Sequence, residues 1–125
     1  MMYALLLLAA LWGALGRPQA APPCQARLRL SQEAQLLTLT GQCQSLLDEP
    51  ARYRYQLLVR RRGAGGQSQN TQSGEFALPA RQAATLSTVR LQVAPTDSYQ
   101  ARLTIFDAEG RTVAQDSVSQ AGSLR

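Results

Sequence analysis

Residues 51–69 read ARYRYQLLVRRRGAGGQSQ: an alternating run loaded with arginine, a glycine-rich turn, then an uncharged polar segment. Arg52, Arg54, Arg60 and Arg62 share one parity, while Tyr53, Tyr55, Leu57, Val59 and Arg61 share the other. Successive side chains of a strand point to opposite faces of its sheet, so this run predicts a long β-strand. One face packs; the other, apart from Gln56 and Leu58, is guanidinium. Arg61 is set apart, because its parity turns it toward the packed side at the end of the strand. So dense a cationic face points to an anionic partner. The plainer alternative is a solvated strand whose charges discourage edge-to-edge aggregation.

The chain alternates in the same way on both sides of this strand. Cys24–Leu30 and Leu36–Cys43 predict a hairpin joined by Ser31–Gln35. One register matches Leu30 with Leu37, Leu28 with Leu39, Ala26 with Gly41 and Cys24 with Cys43 on a single face. Arg27 and Arg29 then fall opposite Thr38 and Thr40 on the other face. The register that buries the leucines also aligns the cysteines, which makes a Cys24–Cys43 disulfide a candidate. Against it stands the strain of directly cross-strand disulfides. After the arginine strand, Gln67–Gln72 predicts a short polar edge strand and Glu75–Leu78 another, closed by Pro79. Thr85–Val93 turns Val89, Leu91 and Val93 inward and Arg90 and Gln92 outward. Tyr99–Phe106 buries Tyr99, Ala101, Leu103 and Ile105 and exposes Gln100, Arg102 and Thr104. Arg111–Val118 is the last strand. Strands at this spacing, with no helical pattern after the leader, predict an all-β, immunoglobulin-like β-sandwich of about seven antiparallel strands. Asp97-Ser98-Tyr99 is similar to the tyrosine corner of such sandwiches.

Within 125 residues there is room for one domain. Leu5–Leu8 followed by Ala9, Ala10, Leu11 and Trp12 is a compact apolar run with small residues and Pro18 behind it. Residues 1–21 therefore read as a secretory signal peptide, cut after Gly16 or at Ala20/Ala21, with residues 22–125 as the exported domain. No membrane insertion is expected once the leader is removed. The residues before Cys24, Ala21-Pro22-Pro23, do not fit a lipidation site. Two cysteines in an exported chain also fit a disulfide.

The net charge is +5, every basic residue is arginine, and histidine is absent. Without histidine the commonest general base is missing and zinc or iron ligation is disfavoured. Arginine stays protonated and cannot shuttle protons. No Ser-His-Asp arrangement can form. Gly63-Ala64-Gly65-Gly66 lacks the Lys-Ser/Thr and the helix of a phosphate loop. Asp48-Glu49 and the Asp107/Glu109 pair sit in turns, where acids are ordinary. Composition thus argues for a binding protein rather than an enzyme, with no metal or cofactor. Nucleic acid is a poor partner, because Tyr53 and Tyr55 lie opposite most of the arginines and an exported chain seldom meets it.

Several segments carry a resemblance. They are Gly66-Gln67-Ser68-Gln69 after the glycine turn, Leu78-Pro79-Ala80, the Leu91–Val93 strand, and Ala94-Pro95-Thr96-Asp97 leading into the next strand. Their order and spacing over roughly residues 51–115 resemble the curli assembly proteins of the CsgC/CsgH type, small periplasmic immunoglobulin-like sandwiches. One branch carries Cys-x-Cys at the start of the arginine strand. Here Ala51-Arg52-Tyr53 stands in its place, so a redox role tied to that motif does not carry over, and the CsgH-like branch is the better match. The resemblance implies a periplasmic inhibitor of amyloid formation that holds acidic, Gln/Asn-rich curli subunits soluble before secretion. It also implies electrostatic recognition of that client.

That implication meets the arginine pattern. Arg52, Arg54, Arg60 and Arg62 line one strand face, and Arg90 and Arg102 point out from two others. If these strands share a sheet, all six form one client-binding surface for weak, fast, salt-sensitive encounter by a monomer. The polar Gln67–Gln72 edge offers a second mode, strand addition to the client. The competing reading is a structural or adhesive immunoglobulin-like exported module.

Overall fold

The computed structural model describes residues 21–122; residues 1–20 of the expected leader lie outside the described part. Seven strands follow one another: β1 (Cys24–Glu33), β2 (Leu36–Ser45), β3 (Ala51–Gly63), β4 (Gly66–Leu78), β5 (Ala83–Gln92), β6 (Ser98–Phe106) and β7 (Thr112–Gln120). They form a three-stranded sheet ordered β1-β2-β5 and a four-stranded sheet ordered β4-β3-β6-β7, with every paired neighbour antiparallel. This is the immunoglobulin-like sandwich that the alternation predicts. One strand is relocated: β4 pairs with β3, not with β5 as the fourth strand does in the constant-type arrangement.

The core follows from parity. Leu37, Leu39 and Cys43 of β2 face Leu57 of β3 and Leu103 and Ile105 of β6, all essentially without solvent contact. Each of these leucines and Ile105 contributes on the order of 1.5–3 kcal/mol by leaving water. The sheets approach closely where Gly41 stands under Leu103, since a Cβ on Gly41 would lie 3.4 Å from the leucine methyls.

The β1–β2 register differs from the expected one. Leu30 pairs with Leu39, Leu28 with Gly41, Ala26 with Cys43 and Cys24 with Ser45. The cause is the turn: the strands run on to Glu33 and Leu36, joined by Ala34 and Gln35 alone, with Ala34 at φ 53°. Two-residue turns with positive φ match the twist of the strands and so favour the longer hairpin. The resulting slip is even, so the buried parity survives at Cys24, Ala26 and Leu28 while Leu30 is left exposed, and the cysteines move from opposite to diagonal positions.

Gln67–Gln72 and Glu75–Leu78 are also not separate strands. They belong to one 13-residue strand, β4, paired with β3 from Gly66 to Leu78. Gly74 does not interrupt it; it makes room for its partner Tyr55. A Cβ there would lie 3.1 Å from the Tyr55 ring, which sits 6.2 Å from the Phe76 ring. The tyrosine corner does not form either. The Tyr99 hydroxyl donates to Gln120 Oε1 on β7 at 2.9 Å, rather than to backbone upstream of it.

Candidate functional site

The β3 alternation and the four-stranded register together set the arginines in order. On the outer face, Arg62 is flanked by Gln67 and Ser98, and Arg60 by Gln69 and Gln100. Leu58 lies between Thr71 and Arg102, and Arg54 between Glu75 and Phe106, with Arg52 beside Ala77. Arg52, Arg54, Arg60, Arg62 and Arg102 are all exposed. Among the described residues none of the five makes an ion pair within 4.0 Å. Glu75 is the single acid on this face of β3, β4 and β6. Around Leu58, Ala77 and Phe106 the remaining side chains are mostly amide and hydroxyl, among them Gln56, Gln67, Gln69, Thr71, Ser73 and Gln100. Arg60, Arg62, Gln67, Gln69, Gln100 and Gln120 border an open groove of about 600 Å³ at one end of the face.

Arg90 does not join them. It lies on β5 in the three-stranded sheet, opposite Thr38, so the six expected residues divide into five and one. The parity that puts Val89 in the core sends Arg90 out through the opposite side of the sandwich, about 10 Å of packed side chains away. There it shares a face with Arg27 and Arg29, whose register partners are Gln42 and Thr40.

Arg61 turns inward as its parity predicts. Its Nη1 donates to Asp97 Oδ2 at 3.1 Å, and that carboxylate is only 6% exposed against 26% for the arginine side chain. Asp97 also accepts from the Ala94 N–H at 2.9 Å, which closes the β5–β6 turn. The carboxylate fills the space where a side chain on Gly63 would stand, so any larger residue there would have to displace Asp97. Arg61 therefore anchors the end of β3 that presents Arg60 and Arg62.

Cys24 and Cys43 are both buried, with free thiols that face each other diagonally across β1 and β2. The hydrogen bond to Cys24, reinforced by burial, raises the Cys43 thiol far above its ordinary range. Among the described residues no group of three or more His, Cys, Asp or Glu side chains could hold a metal ion.

The sequence reading missed two contacts that shape the edges of the four-stranded sheet. On β7, Asp116 has core parity, opposite buried Leu103, and its Oδ2 accepts the backbone N–H of Leu28 on β1 at 2.7 Å. An acid at an inward position between Ala114 and Val118 was the available signal. On β4, Gln72 accepts a hydrogen bond from the Ser87 hydroxyl of β5. That contact could not be found before β4 was known to run unbroken through Gly74.

Comparison with known proteins places this geometry. The family described as thin aggregative fimbriae synthesis protein, Tafi-CsgC, matches residues 19–117. The curli assembly protein CsgC of Salmonella typhimurium is 31% identical over 114 residues, covering 91% of this chain and 94% of the relative. The Escherichia coli O1:K1 CsgC is 30% identical over the same length. Among solved structures, E. coli CsgC superposes with a TM-score of 0.65 at 26% identity, covering 75% of this chain and 96% of that one. R. palustris CsgH superposes with 0.60 at 26% identity, covering 76% and 90%. Equal identity to the two structures leaves the CsgH-like assignment resting on the missing Cys-x-Cys motif alone. A Bacteroides uniformis β-glucuronidase matches at 13% identity and TM-score 0.58, which is a likeness of fold only.

Proposed function

Because this chain belongs to the Tafi-CsgC family of thin aggregative fimbriae synthesis proteins, we propose that it serves curli assembly by keeping an acidic, amyloid-forming curli subunit soluble in the periplasm. One observation carries this reading: Arg52, Arg54, Arg60, Arg62 and Arg102 stand on one open sheet face with no carboxylate paired to them among the described residues. Exposed guanidinium groups attract an acidic chain over about a Debye length, roughly 8–10 Å at physiological salt. They engage carboxylates without a buried pocket and let go quickly. Masking acidic segments during brief encounters delays the first productive contacts between client molecules. The protein acts as a monomer, without cofactor and without chemistry on its client.

The test is the lag before a purified curli subunit fibrillates, with wild type or with an Arg54→Glu/Arg60→Glu/Arg62→Glu/Arg102→Glu variant present. Wild type lengthens the lag at low stoichiometry and loses the effect as salt rises; the variant leaves the lag unchanged. Equal delay by the two proteins would sink the electrostatic mechanism.

Two further features fit a periplasmic address: the leader over residues 1–21, and Cys24 and Cys43 as a disulfide formed when an exported thiol oxidant takes their two electrons and two protons. Intact mass of the exported protein reads both. The expected mature chain starts at Arg17, Ala21 or Pro22, and its mass lacks one hydrogen from each thiol. An uncut chain, or two thiols that still titrate after denaturation, would refute the corresponding half.

A further inference from the structure

The four-stranded sheet ends in a bare edge at β4, and we infer that this edge captures an extended, acidic, Gln/Asn-rich segment of the client by pairing with it as an added β-strand. The inference rests on the client class proposed above and supplies its mode of binding.

The first support is exposure of the backbone. β4 is 13 residues long and its backbone ladder runs only to β3. Every second N–H and C=O along it therefore faces away from the sheet, over roughly 40 Å at about 3.3 Å per residue. The strand that would flank it in a constant-type immunoglobulin domain, β5, belongs to the other sheet. Between β4 and β5 the described hydrogen bonds include only the Ser87–Gln72 contact.

The second support is what the edge lacks. Residues 66–74 read GQSQNTQSG, with no proline, no lysine, no charge and no large apolar residue. Natural edges are closed by proline, by lysine or other charge, by bulges or by a covering segment. β3–β4 pairing shows no register shift from end to end. The opposite edge of the same sheet, β7, is by contrast held against β1 by the Asp116–Leu28 hydrogen bond.

Side chains then select the occupant. Gln67, Ser68, Gln69 and Asn70 are all exposed and match the amide ladders that Asn/Gln-rich strands form with one another. Arg60 Nε donates to Gln69 Oε1 at 3.2 Å, so its guanidinium leans from β3 across β4, toward the vacant side. One strand spacing further, about 4.8 Å, lie the side chains of an added strand. Acids among them would meet Arg60 and Arg62. A second copy of this chain is disfavoured at the same edge, because β4-to-β4 pairing would bring two sets of these arginines together.

Hydrogen exchange on the isotope-labelled protein tests this, with a soluble acidic Gln/Asn-rich peptide as the probe. Binding should slow alternate amides of residues 66–74 by about tenfold or more, leaving β7 unchanged. Exchange in the free protein also shows which amides face outward. Proline at two of those, Gln69→Pro/Thr71→Pro or Ser68→Pro/Asn70→Pro, should weaken peptide binding about tenfold or more with every arginine in place. Peptide that shifts the arginine Nε resonances but leaves β4 exchange untouched would overturn strand addition and leave the electrostatic reading standing. No binding of the peptide at all would overturn both.

Discussion

The two sides of the sandwich are finished differently. On the β1/β7 side the sheets are latched: Asp116 reaches from one to cap the Leu28 N–H of the other at 2.7 Å. On the β4/β5 side the strands part, and the Ser87–Gln72 hydrogen bond is the bridge found between them. Both sides enclose the same core, so the difference is not a matter of apolar burial. It lies in where backbone polar groups find partners. A latched side has little to offer another chain, while an open one presents a ready pairing surface.

Leu103 sits at the centre, over Gly41 and between the two sides, with no solvent contact. Leu103→Ala should lower unfolding free energy by about 2–5 kcal/mol in urea titration, loosening both sides together. A loss confined to exchange on one side would show that the sheets are not held by a shared centre. Asp116→Ala tests the latch: it removes the acceptor of the Leu28 N–H and should cost about 1–3 kcal/mol. The Leu28 amide should exchange faster in that variant, with the β4 amides unchanged. Smallest is Ser87→Ala, expected within about 0.5 kcal/mol of wild type because the open side contributes little to holding the sheets together. If it cost as much as Asp116→Ala, the two sides would be equally sealed and the contrast would fail.

Much of this was legible in the chain because period-two alternation is a strong signal. The inward sets Leu37/Leu39, Leu57/Val59 and Leu103/Ile105, and the outward set Arg52/Arg54/Arg60/Arg62, stand where parity puts them. Parity says nothing of which sheet a strand joins. That is why Arg90, outward as expected, emerges on the far face with Arg27 and Arg29. Nor does parity fix a register against an even slip, and the short Ala34–Gln35 turn moved Cys24 from Cys43 to Ser45. Gly74 misled for a related reason. In sequence it looks like punctuation, whereas its role is to admit the ring of Tyr55 on the neighbouring strand. The Asp97–Arg61 pair was half visible: Arg61 had the inward parity, but its partner is 36 residues away across a turn.

Arginine on both outer faces has a consequence for the protein's own company. Stacking two copies through their sheets, in any orientation, sets Arg27, Arg29 and Arg90 or the β3 row against a like-charged neighbour. The paired sheets of a cross-β fibre meet face to face through such stacking. Like charge on both outer faces thus opposes packing of this sandwich, face on, as a layer of such a stack.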